Sequence, residues 1–374
     1  EARSIVFFHL SVRTGKDHSD RNMLKIKKLK VNGFETVVVG KDPRTNFHSI
    51  IAIHSTRLGP SLGGIRMWPY VNERSAMQDV RRLAAAMTKK AAVSGLPVGG
   101  GKAVIIGDPM KDKTRSLLLT MGEFIESLQG RYIGAKDSGI LPEDLDVVAE
   151  QTRHVTGTTR KRGGSGDPSV ATAKGVLLGI QAACQCVYGS KNLKGRIVAI
   201  QGIGHVGWNL GRLLYQKGVH LIVADPEANR VEQARRSWKA TVVPVSRIHQ
   251  VQADVFAPCA LGGVLNAKTI PQLKAKIVAG GANNQCLDEE HDPYRMMERN
   301  IVHVPDYVLN AGGLIHLVVR EILRQRQVKP WLKTIETTVC EVLTTSIQKG
   351  IPPLVMTNRL AKQKIRHSMN IQNA

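Results

Sequence analysis

The apolar positions of the chain alternate between short runs, which are typical of strands, and longer stretches with helical spacing. Four short runs in the N-terminal part predict strands: Thr36–Val39, Ser49–Ile53, Ala103–Ile106 and Tyr132–Ala135. Helical spacing follows or separates these runs in residues 74–94, 112–128 and 142–151. This alternation indicates an α/β fold with parallel strand pairing.

A second α/β region follows a segment without apolar periodicity. Residues 158–168 (TTRKRGGSGDP) concentrate charge, glycine and proline, which favours a hinge or a crossing between domains. A helix is predicted next, over about 170–187. Three later runs predict strands of the same sheet: Val255–Ala257, Lys276–Ala279 and Ile301–Val304. From about residue 330 only helices are predicted, and we expect them to pack back across the first domain.

The most diagnostic segment is a glycine run between a strand and a helix. The strand Ile197–Ile200 leads into GIGHVG (residues 202–207), a helix is predicted from there to about residue 217, and a second strand ends at Asp225. In this context the glycines allow a tight turn, approach of the backbone to a pyrophosphate, and close packing of helix on strand. A carboxylate at Asp225 can accept hydrogen bonds from ribose hydroxyls and repels a 2′-phosphate, which favours NAD over NADP.

Composition places the chain among soluble globular proteins. No apolar run in its 374 residues reaches the roughly 18–20 residues that a membrane helix needs, and we find no export signal. The five cysteines are an odd number, which argues against a disulfide framework and favours the reducing cytoplasm. Their spacing matches no metal-ligand pattern, so no metal site is expected.

The charge balance raises a second class of function. Lys and Arg number 53 against 30 Asp and Glu, giving a formal charge of +23, which is compatible with a nucleic-acid-binding protein. The basic residues are scattered, however, and no RNA-binding, zinc-finger or basic-zipper signature is present. Nucleic-acid binding therefore stays the second hypothesis, and no membrane partner is expected.

Two lysines lie where an anion could bind. Lys90 shares one face of the helix over 74–94 with apolar residues, where a lysine either extends to an edge or meets an anion in a cleft. Lys102 follows three glycines, Gly99–Gly101, which remove side-chain bulk around it, and it leads directly into an apolar strand. Beside a second lysine in a poorly hydrated cleft, Lys102 would lose proton affinity and could act as a base. The alternative is a surface lysine after a flexible turn.

Four polar residues follow predicted strands. Asp137 is a candidate proton shuttle, because ligands of open α/β sheets bind at the carboxyl ends of strands, although a capping or turn role is the simpler alternative. Asn283, Asn284 and Asn310 are plausible partners for a substrate or for the nicotinamide carboxamide. Structural turn roles are equally open for these amides.

Several segments resemble the amino acid dehydrogenases of the Glu/Leu/Phe/Val family. They are LGPSLGGIRMWPY (58–70), MTKKAAVSGLPVGGGKAVIIGDP (87–109), RYIGAKD (131–137), QGIGHVG (201–207), FAPCALGG (256–263), GANNQ (281–285) and PDYVLNAGG (305–313). The match runs in order from about residue 34 to the late 360s. Within the family it is greatest to the leucine branch, with the phenylalanine, valine and tryptophan branches as near relatives.

The resemblance implies a reaction and three residue roles. The reaction is reversible, NAD-dependent oxidative deamination of a branched-chain aliphatic L-amino acid (leucine, also valine or isoleucine) to a 2-oxo acid and ammonia. Lys90 would bind the substrate carboxylate and Lys102 would be the base that activates water. Asp137 would exchange protons with the substrate nitrogen. The resemblance also implies a homo-oligomer. The alternatives are the activity of the phenylalanine, valine or tryptophan branch of the same family, or a catalytically silent NAD-binding homologue with polyanion affinity.

The same resemblance assigns further binding residues. Substrate-binding residues beside Lys90 would be Leu62, Gly63, Ala135, Asn283, Leu314 and Leu317. Cofactor-binding residues would be Gly202, Ile203, Gly204, His205, Val206, Gly207, Asp225, Thr172, Asn284 and Asn310. His316 departs from the family pattern, which has Asn at this position.

The predicted architecture has two α/β domains. Residues 23–157 and 330–374 form the catalytic and oligomerisation domain, and residues 158–329 form a Rossmann-type, doubly wound NAD-binding domain. Residues 1–22 precede the matched region as an extension that aligns with nothing.

Overall fold

The computed structural model describes residues 24–372, so the extension predicted at residues 1–22 lies outside the described residues. The chain divides into two compact units. Of the described residues, the first unit contains those up to Ala92, Leu96–Gly166 and those from Ile365 onward. The second unit contains Val93–Gly95 and Asp167–Lys364. The main boundary falls inside the predicted hinge segment, 158–168.

The first unit is built on a six-stranded mixed sheet. Its strands are β1 (Lys25–Leu29), β2 (Thr36–Asp42), β3 (Phe47–Ser55), β4 (Ser61–Trp68), β5 (Gly99–Ile106) and β6 (Tyr132–Lys136). Its helices are α1 (Glu73–Val93), α2 (Arg115–Glu126) and α3 (Pro142–Val148). The strand order is β1-β2-β3-β5-β4-β6. The pairs β1–β2, β2–β3 and β3–β5 are antiparallel, and β4 is parallel to both β5 and β6.

The antiparallel half of this sheet differs from the predicted parallel pairing. Short turns join β1 to β2 and β2 to β3, and such turns allow only antiparallel neighbours. Two strands were also missed by the sequence pattern. β1 (KIKKL) has more lysines than apolar residues, as suits an edge strand exposed to solvent. β4 (SLGGIRMW) is interrupted by two glycines and an arginine.

Both faces of the first sheet are covered by apolar layers. Ala76, Val80 and Ala84 of α1 pack on one face, where Val104 of β5 is fully buried. α2 and α3 cover the other face. Helix α1 begins where the Asn72 side chain accepts a hydrogen bond from the Ser75 N–H at 2.9 Å, an N-cap arrangement. Each fully buried Val or Ile in these layers contributes roughly 1.5–3 kcal/mol.

The second unit has a six-stranded parallel sheet. Its strands are β7 (Ile197–Gln201), β8 (His220–Ala224), β9 (Thr241–Val242), β10 (Val255–Pro258), β11 (Ile277–Val278) and β12 (Val302–His303). Its helices are α4 (Ser169–Tyr188), α5 (His205–Tyr215), α6 (Ala228–Trp238), α7 (Asp292–Glu298), α8 (Asp306–Leu309), α9 (Gly312–Leu317), α10 (Lys329–Lys349) and α11 (Pro353–Gln372), whose last residues extend past the unit boundary. The order β12-β11-β10-β7-β8-β9 is that of a doubly wound, Rossmann-type sheet. The predicted α/β fold class is confirmed.

The C-terminal helices pack within the second unit. Gly175 and Gly179 of α4 lie against Ile335 and Val339 of α10, because a glycine leaves room for a close helix crossing. Leu354 of α11 joins the apolar core beneath the sheet. By its contacts, the chain from Asp167 through Lys364 belongs to the second unit. The functional assignment of residues 330–374 to the catalytic and oligomerisation domain stays a prediction.

One described helix, α4, is long and apolar enough to cross a membrane by length and composition alone, contrary to the sequence expectation. Most of its length is buried, with α5 and α10 packed against it. A core helix passes the same test of length and composition, so α4 is explained by its packing.

Candidate active site

The glycine triplet before Lys102 is part of a strand, so the alternative of a surface lysine after a flexible turn does not hold. Gly99, Gly100 and Gly101 open β5 and are buried. A side chain at Gly100 would overlap the backbone of Thr88 in α1, and one at Gly101 would lie 2.8 Å from Ser61 Oγ. The glycines therefore let the helix and the neighbouring strands approach β5 closely. This packing leaves Lys102 only 6% exposed.

Lys102 forms a buried ion pair with Asp137, which follows β6. The Lys102 Nζ lies 2.6 Å from Asp137 Oδ2. Gly64 of β4 makes room for the pair, since a Cβ there would lie 2.7 Å from Asp137 Cβ and 3.0 Å from Lys102 Nζ. Lys102 and Asp137, two of the three residues predicted to take part in the reaction, therefore meet across β5, β4 and β6.

Burial and charge act in opposite directions on this pair. Burial lowers the pKa of Lys102 from its ordinary value, although the neighbouring Asp137 carboxylate opposes this change. Burial alone raises the pKa of Asp137, but the Lys102 and Arg66 charges outweigh it and keep that pKa below the ordinary value. The site therefore combines an ionised carboxylate with a lysine that gives up its proton more easily than usual.

Arg66 of β4 is a member of this site that the sequence analysis did not identify. Its Nε donates to Asp137 Oδ2 at 2.9 Å, and its Nη1 donates to Asp79 Oδ2 of α1, also at 2.9 Å. Tyr70 donates to the same Asp79 oxygen at 2.7 Å. The signal was present in GGIRMW: once these residues form a strand, Gly64 and Arg66 share a face by the two-residue period.

Lys90 occupies a less buried position than the predicted apolar stripe indicates. The buried face of α1 runs through Ala76, Val80, Ala84 and Thr88, whereas Lys90 lies at its flank and is half-buried, as Leu83 and Met87 are. The buried face of α1 differs from the predicted stripe because α1 lies close to β5, where Ala84 and Thr88 fit and the longer side chains of Leu83 and Met87 do not. The sequence analysis expected a second lysine to lower the pKa of Lys102. In the structure the positive charge that lowers it belongs to Arg66.

A cavity of about 400 Å³ adjoins the charged cluster. It is lined by Arg66, Trp68, Tyr70, Asp79 and Ser138. Leu62 and Ala135, the predicted substrate contacts on this unit, are 1% and 8% exposed. Gly63 lies against the backbone of Gly101, where a side chain would overlap the carbonyl oxygen.

The glycine run of the second unit forms a tight turn between β7 and α5. Gly202 has a positive φ of 92°, and its N–H donates to the Ala224 carbonyl at 2.8 Å. A side chain at Gly207 would overlap the Gly202 carbonyl oxygen, whereas one at Gly204 would meet no atom within 4 Å. The turn thus presents an open backbone at Gly204, immediately before the first residue of α5. His205 is exposed there, and Ile203 and Gly207 are buried.

Asp225 fixes this turn to the end of β8. Its Oδ2 accepts the Ile203 N–H at 2.6 Å and its Oδ1 accepts the Glu227 N–H at 2.9 Å. The side chain is only 4% exposed, and the guanidinium of Arg230 lies 3.7 Å away. The predicted ribose ligand therefore also holds the backbone of the glycine turn.

The predicted amide ligands of the second unit are partly brought together. Asn310 Nδ2 donates to Asn283 Oδ1 at 2.8 Å, while Asn310 Oδ1 is buried without a hydrogen-bond partner. Thr172 of α4 is buried beside Gly313, and Asn284 is exposed with φ 52°. Leu314 and Leu317 lie half-buried on α9. The role of Leu314 and Leu317 in substrate binding stays a prediction.

These features fit a nicotinamide dinucleotide. The open backbone at Gly204 before the eleven-residue helix α5 suits a pyrophosphate, and the unpartnered Oδ1 of Asn310 can accept a carboxamide N–H. Among residues 24–372 no group of three or more His, Cys, Asp or Glu side chains could hold a metal ion. The five cysteines are free thiols.

Comparison with known proteins identifies the family. The model of the dimerisation domain of Glu/Leu/Phe/Val dehydrogenases matches residues 34–161, and the Glutamate/Leucine/Phenylalanine/Valine dehydrogenase model matches residues 163–226 and 220–372. The chain belongs to this dehydrogenase family. It is an amino acid dehydrogenase, an oxidoreductase that uses a nicotinamide nucleotide, and the resemblance seen in the sequence is confirmed.

Relatives within the family differ in substrate. Leucine dehydrogenase of Thermoactinomyces intermedius is 43% identical over 335 residues, covering 89% of this chain and 91% of the relative. L-tryptophan dehydrogenase of Nostoc punctiforme is 42% identical over 350 residues, covering 92% and 97%. A crystal structure of L-tryptophan dehydrogenase from Nostoc punctiforme superposes with a TM-score of 0.81 at 39% identity, covering 90% of this chain and 97% of that one.

Proposed function

We propose that this dehydrogenase catalyses the reversible, NAD-dependent oxidative deamination of a branched-chain aliphatic L-amino acid, leucine first and valine or isoleucine also. The reaction converts the amino acid, water and NAD⁺ into the 2-oxo acid, ammonium, NADH and a proton. The observation that carries the proposal is the buried Lys102–Asp137 pair at 2.6 Å, in a chain 43% identical to a leucine dehydrogenase.

Lys102 is the proposed base. Because burial lowers its pKa, a neutral amine becomes accessible at lower pH than for an exposed lysine. The neutral amine takes a proton from water as that water attacks the imino carbon of the oxidised substrate. The bound nicotinamide supplies the acceptor for the hydride that leaves the substrate α-carbon.

Asp137 and Lys90 are the proposed substrate ligands of the first unit. The Asp137 carboxylate, kept ionised by Lys102 and Arg66, exchanges protons with the substrate nitrogen before it leaves as ammonia. The ammonium group of Lys90 binds the substrate carboxylate. Replacing Lys90 with Ala should therefore raise KM for the amino acid more than it lowers kcat, which steady-state kinetics can measure.

The choice of side chain rests on apolar contacts. Leu62, Ala135, Leu314 and Leu317 are uncharged, which disfavours glutamate and suits an aliphatic substrate. One methylene of an aliphatic substrate changes the binding free energy by only about 1–3 kcal/mol, so leucine, isoleucine and valine should all react. An aromatic amino acid is the second candidate, favoured by the 42% identity to an L-tryptophan dehydrogenase.

The proposed cofactor is NAD because of Asp225. A 2′-phosphate would be placed against its carboxylate at the end of β8. Arg230, whose guanidinium is 3.7 Å from that carboxylate, is the observation that favours NADP as the alternative.

An amino acid panel tests the function directly. Formation of NADH is followed at alkaline pH with L-leucine, L-valine, L-isoleucine, L-phenylalanine, L-tryptophan and L-glutamate, and each is repeated with NADP⁺. We expect the highest kcat/KM for a branched aliphatic substrate and none for glutamate. Preference for an aromatic substrate would overturn the aliphatic assignment, and no turnover at all would indicate a silent homologue.

Two further proposals concern setting and partners. We propose a cytoplasmic homo-oligomer, supported by the five free cysteines and by the match to a dimerisation-domain model. The charge of +23 keeps a polyanion interaction as the rival. A DNA-binding titration at two salt concentrations separates the cases, since true nucleic-acid affinity falls steeply with salt.

A further inference from the structure

The Asp137 carboxylate is held through one of its two oxygens. Both Lys102 Nζ, at 2.6 Å, and Arg66 Nε, at 2.9 Å, donate to Oδ2. The hydrogen bonds described for this side chain leave Oδ1 unused. A carboxylate fixed in this way has a defined direction in which its second oxygen can accept or donate a proton.

Arg66 is itself held by a second carboxylate. Its Nη1 donates to Asp79 Oδ2 at 2.9 Å, and that oxygen also accepts from Tyr70 at 2.7 Å. Arg82 donates to the other Asp79 oxygen at 2.8 Å. A planar guanidinium can bridge two carboxylates with separate nitrogens, whereas a lysine ammonium is a single point charge. Arg66 and Asp79 are mostly buried, with side chains 23% and 18% exposed.

We infer that Arg66 is a positioning residue, which fixes Asp137 through Oδ2 and keeps Oδ1 for the substrate nitrogen. This inference rests on the proposed function, in which Asp137 exchanges protons with that nitrogen. Asp79 supports it by orienting the guanidinium. Neither Arg66 nor Asp79 was assigned a role by the sequence.

The same three groups face Lys102 from different elements. Asp137 follows β6, Arg66 lies on β4 and Asp79 lies on α1. Burial lowers the pKa of Lys102 most; Asp137 opposes this, Arg66 lowers the pKa further and Asp79 raises it. Removing the Arg66 charge should therefore raise the pKa of Lys102, and removing the Asp79 charge should lower it. A purely structural disturbance by either substitution would not shift the pKa of Lys102 in opposite directions.

Kinetic pH profiles of three variants test the inference. Arg66→Met should lower kcat for deamination by about 100-fold, because Asp137 loses its fixed direction. It should also move the ascending limb of kcat/KM to higher pH by about one unit. Arg66→Lys keeps the charge and loses the bridge, so kcat should fall while the limb stays near its wild-type position. Asp79→Asn should move the limb to lower pH.

Arg44→Lys is the matched control. It changes an arginine whose Nη2 lies 2.6 Å from the buried Asp42 carboxylate, in the same unit and outside this cluster. We expect its kcat and pH profile to match the wild type. Wild-type kcat and pH profile in Arg66→Lys and Arg66→Met would overturn the inference, as would shifts of the same sign in Arg66→Met and Asp79→Asn. If Arg66→Met fails to fold, Arg66→Lys and Asp79→Asn still decide.

A chemical readout separates this inference from the proposed function. Acetylation of Lys102 by acetic anhydride is followed against pH by peptide mass spectrometry, which needs no turnover. The midpoint should rise in Arg66→Met and fall in Asp79→Asn. If the wild type turns over no amino acid yet these midpoints shift, the proposed function fails while the charge coupling stands. If the wild type is active and the midpoints and profiles do not move, the role of Arg66 fails alone.

Discussion

The charged cluster of the first unit and the glycine turn of the second unit are built from different kinds of contact. Lys102, Asp137 and Arg66 come from separate elements, and their arrangement depends on long side chains meeting in a buried place. The glycine turn lies within six consecutive residues and presents mainly backbone. Burial and charge set the proton affinities in the first region, whereas the second offers an open backbone that we propose binds the cofactor.

This difference determines how each region should respond to mutation. In the first, a change of one side chain alters the proton affinity of Lys102 and the orientation of the Asp137 carboxylate, while the backbone stays in place. In the second, a methyl group added at Gly207 overlaps backbone atoms that cannot move away, whereas one added at Gly204 meets no atom within 4 Å. The predictions below separate the two responses, beginning with the largest effect.

Replacing Lys102 with Ala should separate catalysis from cofactor binding most clearly. We expect kcat for deamination to fall by about 1,000-fold or more, because the base is lost. The NADH dissociation constant, measured by fluorescence titration, should hardly change, since the glycine turn is untouched. Lys113→Ala, which breaks an ion pair with Asp144 at 2.7 Å, is the matched control and should keep kcat. An unchanged kcat in Lys102→Ala would refute the base assignment.

Replacing Gly64 with Ala should disturb the ion pair without removing either charge. The new Cβ would lie 2.7 Å from Asp137 Cβ and 3.0 Å from Lys102 Nζ, so the pair must shift. A displacement of about 1 Å at reacting groups can cost about 100-fold in kcat. Gly107→Ala is the control, since its Cβ would meet only side-chain atoms outside the ion pair, the flexible end of Met67 at 3.1 Å and Asp112 Oδ2 at 3.3 Å. Equal kcat in both variants would show that the pair tolerates displacement.

Two glycines of the second unit should give opposite results. Gly207→Ala would overlap the Gly202 carbonyl, and overpacking of this kind costs about 1–3 kcal/mol, so Tm should fall. Gly204→Ala meets no atom within 4 Å, so Tm should hold while NADH affinity weakens. Differential scanning calorimetry and NADH titration measure both. Normal NADH binding by Gly204→Ala would remove that backbone from the cofactor site.

Cofactor choice should give the smallest change. Asp225→Ala should lower the preference for NADH over NADPH by about tenfold, equivalent to about 1.4 kcal/mol. Because Asp225 also holds the Ile203 N–H, both affinities should weaken, so the ratio of dissociation constants is the quantity to compare. Arg230→Ala should weaken only the residual NADPH binding. A constant ratio in Asp225→Ala would exclude this carboxylate from the choice.

Much of the second unit was predictable because its signals are local. The strand, glycine turn, helix and terminal acid of the nucleotide site occupy one continuous stretch, and each glycine has a steric reason that pattern alone reveals. The later parallel strands were found for the same reason, as short apolar runs between helices. The pattern did not show that the Asp225 carboxylate already accepts a hydrogen bond from the Ile203 N–H of the turn.

The sequence by itself determined the α/β class and the family, and it predicted the nucleotide turn and the candidate catalytic residues Lys102 and Asp137. The tertiary structure alone decided that the Gly99–Gly101 segment is a strand, that β5 lies between β3 and β4, and that Arg66 joins Asp137 to Asp79. Arg66 and Asp137 are 71 residues apart, and no local pattern encodes such a contact. It forms only when strand pairing and burial bring the charges to one place, where each must find a partner.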